Sequence, residues 1–151
     1  MAVLRADRPY VQFNFLVDLG DGNPESPQAG FQEISGIGME VTVSEFRLGN
    51  SKENSVVKIT GMNKSTDVTM KRGVIGSLNL YKWLDQIRNG DQSALRTVTI
   101  TLKNEDHTQD VQVWKLLRAR IIKHTSGPLN AKGTDVAMEE LVLAYERLEM
   151  Q

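Results

Sequence analysis

Residues 111–150, VQVWKLLRARIIKHTSGPLNAKGTDVAMEELVLAYERLEM, decide the fold. Two apolar-rich segments, Val111–His124 and Met138–Met150, flank a connection built from Ser126-Gly127-Pro128 and Lys132-Gly133-Thr134, where glycine and proline punctuate the chain. This arrangement reads as two paired strands joined by an elaborated loop. The second segment also scores as helix, because Glu, Leu, Ala and Met are good helix formers. Its centre, Leu141 to Tyr145, is a continuous apolar run that periodicity alone does not assign.

Moving toward the N-terminus, Val98, Ile100 and Leu102 alternate with Thr97, Thr99, Thr101 and Lys103, a half-buried strand that a polar turn at residues 104–109 joins to the long segment. From Ser77 the period becomes helical. Leu80, Trp83, Leu84 and Ile87 form one face at i, i+3, i+4, i+7, with Ser77 as the expected N-cap and Asn89-Gly90 as the stop. Lys82, Asp85, Gln86 and Arg88 fall on the opposite face. Asp67–Arg72 alternates again, with Val68 and Met70 set against Thr69 and Lys71.

Gly49–Val57 is polar and too long for a tight hairpin, so it reads as a mobile surface loop or an arm that reaches a neighbour. Before it, Glu40–Leu48 changes phase from Val41 and Val43 to Phe46 and Leu48, which predicts a bulge or bend. Gly30–Ser35 is a further strand. Tyr10–Leu19 places Val11, Phe13, Phe15, Val17 and Leu19 on one side and Gln12, Asn14 and Asp18 on the other, with Leu16 the exception; a turn-rich loop from Gly20 to Pro27 ends it. The trigrams at Val41, Val68 and Val98 reflect β-propensity and not duplication.

At 151 residues the chain is long enough to bury roughly two-thirds of its unfolded surface as one domain, residues 1–151. Eighteen basic and nineteen acidic residues leave a net charge of −1, which gives no global field for nucleic acid or an anionic membrane. The absence of cysteine excludes disulfides, thiolate catalysis and sulfur-ligated zinc. No apolar run reaches the ~18 residues of a membrane span, and the first nine residues lack a signal-peptide core, so the expectation is cytoplasmic synthesis without stable membrane association.

Catalytic signatures are missing. His107 and His124 each lie alone, read as surface or strand-end histidines. Gly36-Ile37-Gly38 has Val41 where a dinucleotide fingerprint needs its third glycine, and Gly61-Met62-Asn63-Lys64-Ser65 has Asn63 where a phosphate loop needs glycine. Asp18 and Asp21 fall short of a calcium loop. Glu139-Glu140 and Glu105-Asp106 read as solvated charge on strand ends and loops. The expectation is no enzyme, no cofactor, no metal and no small-molecule substrate.

A resemblance sharpens this. The Trp114-bearing strand, Ser126-Gly127-Pro128-Leu129-Asn130-Ala131-Lys132-Gly133, and the terminal run from Val136-Ala137 through Glu139, Leu141 and Leu143 to Tyr145-Glu146 resemble the inner tube protein of contractile tails. So do Phe31-Gln32-Glu33-Ile34-Ser35-Gly36, Phe46-Arg47 and the Lys71-Arg72-Gly73 step before the helix, which carries the resemblance across both halves of the chain. The family covers phage tail tubes and phage-derived contractile injection systems and shares a fold with the haemolysin-coregulated tube protein of type VI secretion.

The resemblance makes the terminal segment a strand. Pattern and resemblance together predict a mainly β fold, two packed antiparallel sheets or a small β-barrel of about seven strands with one α-helix. The family further implies hexameric rings, inner sheets merged around a lumen, stacking into a tube, and a sheath that drives the tube forward. Arg47, Leu48, Gly49, Asn50, Ser51, Lys52, Glu53 and Asn54 then become a ring-stacking arm, within ring contacts expected over Arg47–Val56. Lys82, Asp85, Gln86 and Arg88 become a sheath-facing surface, and Thr97, Thr99, Thr101 and Lys103 a lumen or outer face. Implied partners are further copies, the sheath, baseplate and terminator proteins, and effector or DNA cargo, in a virion or secreted particle. The alternatives are a monomeric β-barrel carrier of a small apolar ligand and a tail cap or initiator of the same fold.

Overall fold

The computed structural model describes residues 7–20 and 30–151. Residues 1–6, and residues 21–29 of the loop expected after Gly20, lie outside the described residues. The order is β1 (Phe15–Asp18), β2 (Phe31–Ser35), β3 (Met39–Phe46), β4 (Val57–Ser65), β5 (Val68–Gly73), α1 (Asn79–Arg88), β6 (Arg96–Lys103), β7 (Asp110–Ser126), β8 (Met138–Ala144) and β9 (Arg147–Met150).

Seven strands form one antiparallel sheet in the order β1-β6-β7-β8-β5-β2, with β9 also on β7. The decisive stretch is therefore strand on both sides of its loop, and helix propensity in the last segment is overridden by the pairing available to it. β7 spans 17 residues and serves both halves of the sheet: its first part pairs with β6 and β9, its second with β8. Between those parts Arg118 has φ 52°, and the register with β8 slips between Ile121 and Lys123. The sheet bends at this corner. On the partner side, β8 and β9 are separated at Tyr145-Glu146, where Glu146 ion-pairs with Arg118 and with Arg120 at 3.0 Å. A single sheet folded through β7 thus does the work of two packed layers.

The layers enclose one core. Val17, Val98, Ile100, Leu116 and Leu148 come from the β1-β6-β7-β9 half; Val68, Met70, Ile121, Leu141 and Leu143 come from the other, and all are buried. Each set obeys the period-two rule along its strand, which is why the alternation was readable. The helix adds buried Leu80 and Trp83, with Leu84 and Ile87 packed at the margin. The Trp83 indole N–H donates to Ala94 O at 2.7 Å, and the Arg96 guanidinium lies over the ring at 4.6 Å.

Three local expectations are corrected. Phe13 is 68% exposed and Asn14 is buried, because bends at residues 12 and 13 shift the phase and the strand begins only at Phe15. The buried Asn14 amide is satisfied by Asn104 O and Glu105 O, both at 3.2 Å. The helix N-cap is Leu78 and not Ser77, although the Ser77 hydroxyl still accepts from Asn79 N–H at 3.4 Å.

Candidate functional site

Among the described residues β3 and β4 pair only with each other and form a separate two-stranded hairpin. β4 is the strand that the sequence reading missed; the segment read as a failed phosphate loop is its second half. The cause is a bulge. Val43 lies opposite Thr60 but Val41 opposite Asn63, so β4 holds one extra residue at Gly61-Met62 and its alternation changes phase there. The bend expected within Glu40–Leu48 exists, with the inserted residue on the partner strand. Glycine is required: a Cβ on Gly61 would stand 2.7 Å from Thr42 Oγ1.

The hairpin root is clamped to the body. Gly36 takes φ +88°, and a Cβ there would lie 2.5 Å from Asp67 O, so the crossing of β2 into β3 needs glycine. Thr66 Oγ1 donates to Gly36 O at 2.6 Å, and Thr66 N–H to Gly38 O at 3.1 Å. From the core, the buried Tyr145 hydroxyl donates to Gly38 O at 2.9 Å and accepts from Gly38 N–H at 3.3 Å. The terminal Tyr-Glu step thereby holds the hairpin with Tyr145 and the β7 corner with Glu146.

Beyond that root, every residue of β3 and all of β4 except Ser65 are exposed. Cross-strand pairs Phe46/Val57 and Ser44/Ile59 share one face; Val43/Thr60 and Val41/Asn63 share the other. Glu45/Lys58 and Glu40/Lys64 set opposite charges across the ladder, a modest contribution to register. The predicted arm, Arg47 to Asn54, is the hairpin tip. It has local order: Arg47 donates to Ser51 O at 3.2 Å and Glu53 O at 3.3 Å, and Ser51 N–H closes a turn on Leu48 O at 3.1 Å.

The other predicted surfaces are placed as follows. Lys82, Gln86 and Arg88 are exposed on the helix and Asp85 is half-buried beside Arg88. Hydrogen bonding to Tyr81 and then to Asp85 raises the Arg88 pKa further. Thr97 is exposed; Thr99, Thr101 and Lys103 are half-buried, and Lys103 Nζ meets Asp110 Oδ1 at 2.6 Å. These β6 residues share a sheet face with Asp18 and Lys115 through the Thr99 register, far in sequence from the hairpin tip.

Glu139 and His124 are more than the solvated charges expected of strand ends. Glu139 is buried and pairs with Arg72 on β5 and with His124 Nε2 at 3.0 Å. Arg72, itself 1% exposed, also donates to Asn79 Oδ1 at 2.8 Å and faces the Phe31 ring at 5.9 Å. The cluster fixes the start of α1 to the β5–β8 edge. Alternation carried a signal for it: Arg72 is in phase with Val68 and Met70, and Glu139 with Leu141 and Leu143. The geometry is that of a saturated structural ion pair, and among the described residues no group of three or more His, Asp or Glu could hold a metal ion.

Fold and surfaces define a structural β-subunit with a clamped, unpartnered ribbon. The profile of the T4-like virus tail tube protein gp19 family matches residues 11–149, and the chain belongs to that family of structural, non-enzymatic tail tube proteins of contractile tails and injection systems. Among solved structures it is similar to a chain of the PVC sheath–tube complex in the extended state, from an extracellular contractile injection system (27% identity, 96% of this chain and 93% of that one, TM-score 0.83). It is similarly close to a chain of the PVC sheath/tube terminator in the extended state (28% identity, 97% and 99% coverage, TM-score 0.84). A type six secretion system protein shares the fold at 11% identity, 92% and 83% coverage and TM-score 0.57. No curated protein matches the chain.

Proposed function

We propose that copies of this chain close into hexameric rings that stack into a hollow inner tube, surrounded by a sheath whose contraction drives it forward, with effector or genome passing along the lumen. The observation that carries this reading is the hairpin. A two-stranded ribbon is marginal in water on its own, yet this one is rich in Val, Ile and Phe, exposed on both faces and rooted firmly in the body. Free strand edges of this kind are liabilities unless paired, and a heterologous contact that closes on itself pairs them around a ring.

Within the tube, residues 47–54 contact the adjacent ring, the Lys82, Gln86 and Arg88 surface faces the sheath, and the Thr97, Thr99 and Thr101 face meets either lumen or outer solvent. Baseplate and terminator proteins bound the two ends; assembly takes place in the cytoplasm before the tube becomes part of a virion or extracellular particle. The likeness to the terminator complex supports a second reading, a cap or initiator of the same fold.

Deletion of residues 49–54 tests the stacking role. Because the hydrogen bonds of the tip among the described residues run within the tip itself, the deleted subunit is expected to fold, and the expected product is folded subunits or single rings without tubes. Tubes of normal length would remove the arm from the stacking contact.

A further inference from the structure

The longest strand carries a strained residue. Arg118 of β7 takes φ 52°, in the left-handed region that is costly for a residue with a Cβ and free to glycine. The register explains its place. Arg96 lies opposite Ala119 and Val98 opposite Leu116, so β7 holds an extra residue over Leu117-Arg118. At the same point β7 exchanges partners: Leu117 pairs with Arg147 of β9, and Arg120 with Ala144 of β8. One common type of bulge puts glycine at its left-handed position. Here an arginine stands there, and a residue with a side chain persists in that conformation only where its surroundings over-determine it.

Glu146 supplies that constraint. Its carboxylate accepts from Arg118 Nε on one oxygen and from Arg120 Nη2 at 3.0 Å on the other, and its N–H donates to Leu117 O at 3.1 Å. Side chain and backbone of one residue therefore grip the chain before and after the bend. The ion pairs stay within reach of solvent, with the Arg118, Arg120 and Glu146 side chains 56%, 34% and 48% exposed. Pairs of this kind are weak and screened by salt, of the same small order as the backbone penalty they oppose. The corner is thus poised and not locked. Tyr145, the residue before, reaches the other way: it is buried, and its hydroxyl donates to Gly38 O at 2.9 Å and accepts from Gly38 N–H at 3.3 Å at the hairpin root. A turn of the peptide between these two residues moves both contacts at once.

We propose that Glu146 is a salt-sensitive clasp on the strained Arg118 corner, and that through Tyr145 the closed clasp steadies the root of the β3–β4 hairpin. Screening the pair frees Arg118 to leave the left-handed conformation, the 145–146 peptide follows, and the hairpin loosens. Arg118 and Arg120 are positioned by Glu146, and Gly38 by Tyr145, so the sheet corner and the hairpin share one two-state element that either side can bias. The device lies within one subunit. Its failure would leave the ring reading untouched.

Hydrogen–deuterium exchange read by mass spectrometry, at a protein concentration low enough for the subunit to be monomeric, tests it. Glu146→Gln keeps the size of the side chain and removes its charge. The expected result is exchange quickened roughly fivefold or more over residues 117–121 and also at the root, residues 36–39 and 64–67, while residues 68–73 of β5 keep the rate of the parent. Adding Arg118→Gly relieves the strain, so the double variant is expected to return both places to within about twofold of the parent, although glycine by itself loosens a strand. Coupling of this kind is reciprocal, so Tyr145→Phe should quicken residues 117–121 as well. Taking the parent from about 0.01 to 1 M sodium chloride, over which the screening length falls from about 30 to 3 Å, should reproduce the Glu146→Gln pattern, and the Arg118→Gly single variant should not respond. Quickening confined to residues 117–121 overturns the coupling to the hairpin. A double variant as fast as Glu146→Gln overturns the role of strain, and no quickening at either place overturns the clasp. If Glu146→Gln quickens β5 too, the salt series on the parent decides by the same criteria.

Discussion

Replacing Glu139 by alanine removes the carboxylate that pairs with the buried Arg72 guanidinium. Arg72 is 1% exposed, so its charge would stay inside without that counter-charge, beside the Asn79 Oδ1 acceptor at 2.8 Å and the Phe31 face at 5.9 Å. Breaking a buried pair from one side costs about 3–5 kcal/mol, since the remaining ion has lost both its solvent and its counter-charge. His124 loses its acceptor too, but it is only half-buried and regains water, which keeps the total near the lower end of that range. For a chain of this length the change lowers Tm by roughly 10 °C. Urea unfolding followed by circular dichroism, at a protein concentration low enough for the subunit to be monomeric, measures it. The double change Arg72→Met with Glu139→Leu is expected to recover most of the loss, because apolar residues of similar volume replace both charges. A Glu139→Ala cost below about 1 kcal/mol, or a double variant less stable than the single one, would refute the reasoning and place Arg72 in contact with solvent.

Other positions give independent checks. Trp83→Ala is expected to destabilise the subunit by about 3–5 kcal/mol in the same unfolding assay, whereas Trp83→Phe costs less, because the ring volume largely remains and only the bond to Ala94 O is lost. Tyr145→Phe removes the hydroxyl that both donates to and accepts from Gly38; hydrogen exchange should quicken at Gly38 and Thr66 while the core amides of β8 stay protected. Asp91 titrates below the ordinary carboxylate range because the Ser93 hydroxyl and then its N–H donate to it. Its contribution to stability is therefore present above the unfolded-state pKa and lost as pH falls through the lower folded value. Ser93→Ala should move the Asp91 titration, followed by carbon-detected NMR, back toward the ordinary range.

The parts of the fold that were legible are those where one face meets the core. β5, β6, β8 and the helix bury side chains at strict period two or 3.6, and Val68, Met70, Val98, Ile100, Leu80 and Trp83 landed inside as their spacing requires. The hairpin was half-legible for the opposite reason. With both faces exposed, β3 and β4 carry no buried-face alternation, and the Gly61-Met62 bulge disrupts what pattern remains in β4, so the phase change of β3 and the polar tip stood out while β4 did not. The split of the last segment at Tyr145-Glu146 was hidden because those two residues face the hairpin root and the β7 corner, contacts that local pattern does not contain. The Arg72–Glu139 pair shows the converse: two charges in phase with apolar neighbours are a readable sign of a buried pair, and chemical intuition about solvated carboxylates worked against it.

Assembly is the central claim, and negative-stain electron microscopy with light scattering across a concentration series of the purified chain tests it most directly. The account predicts sixfold rings, stacking into hollow tubes as concentration rises. A strictly monomeric species at the highest concentration would contradict it.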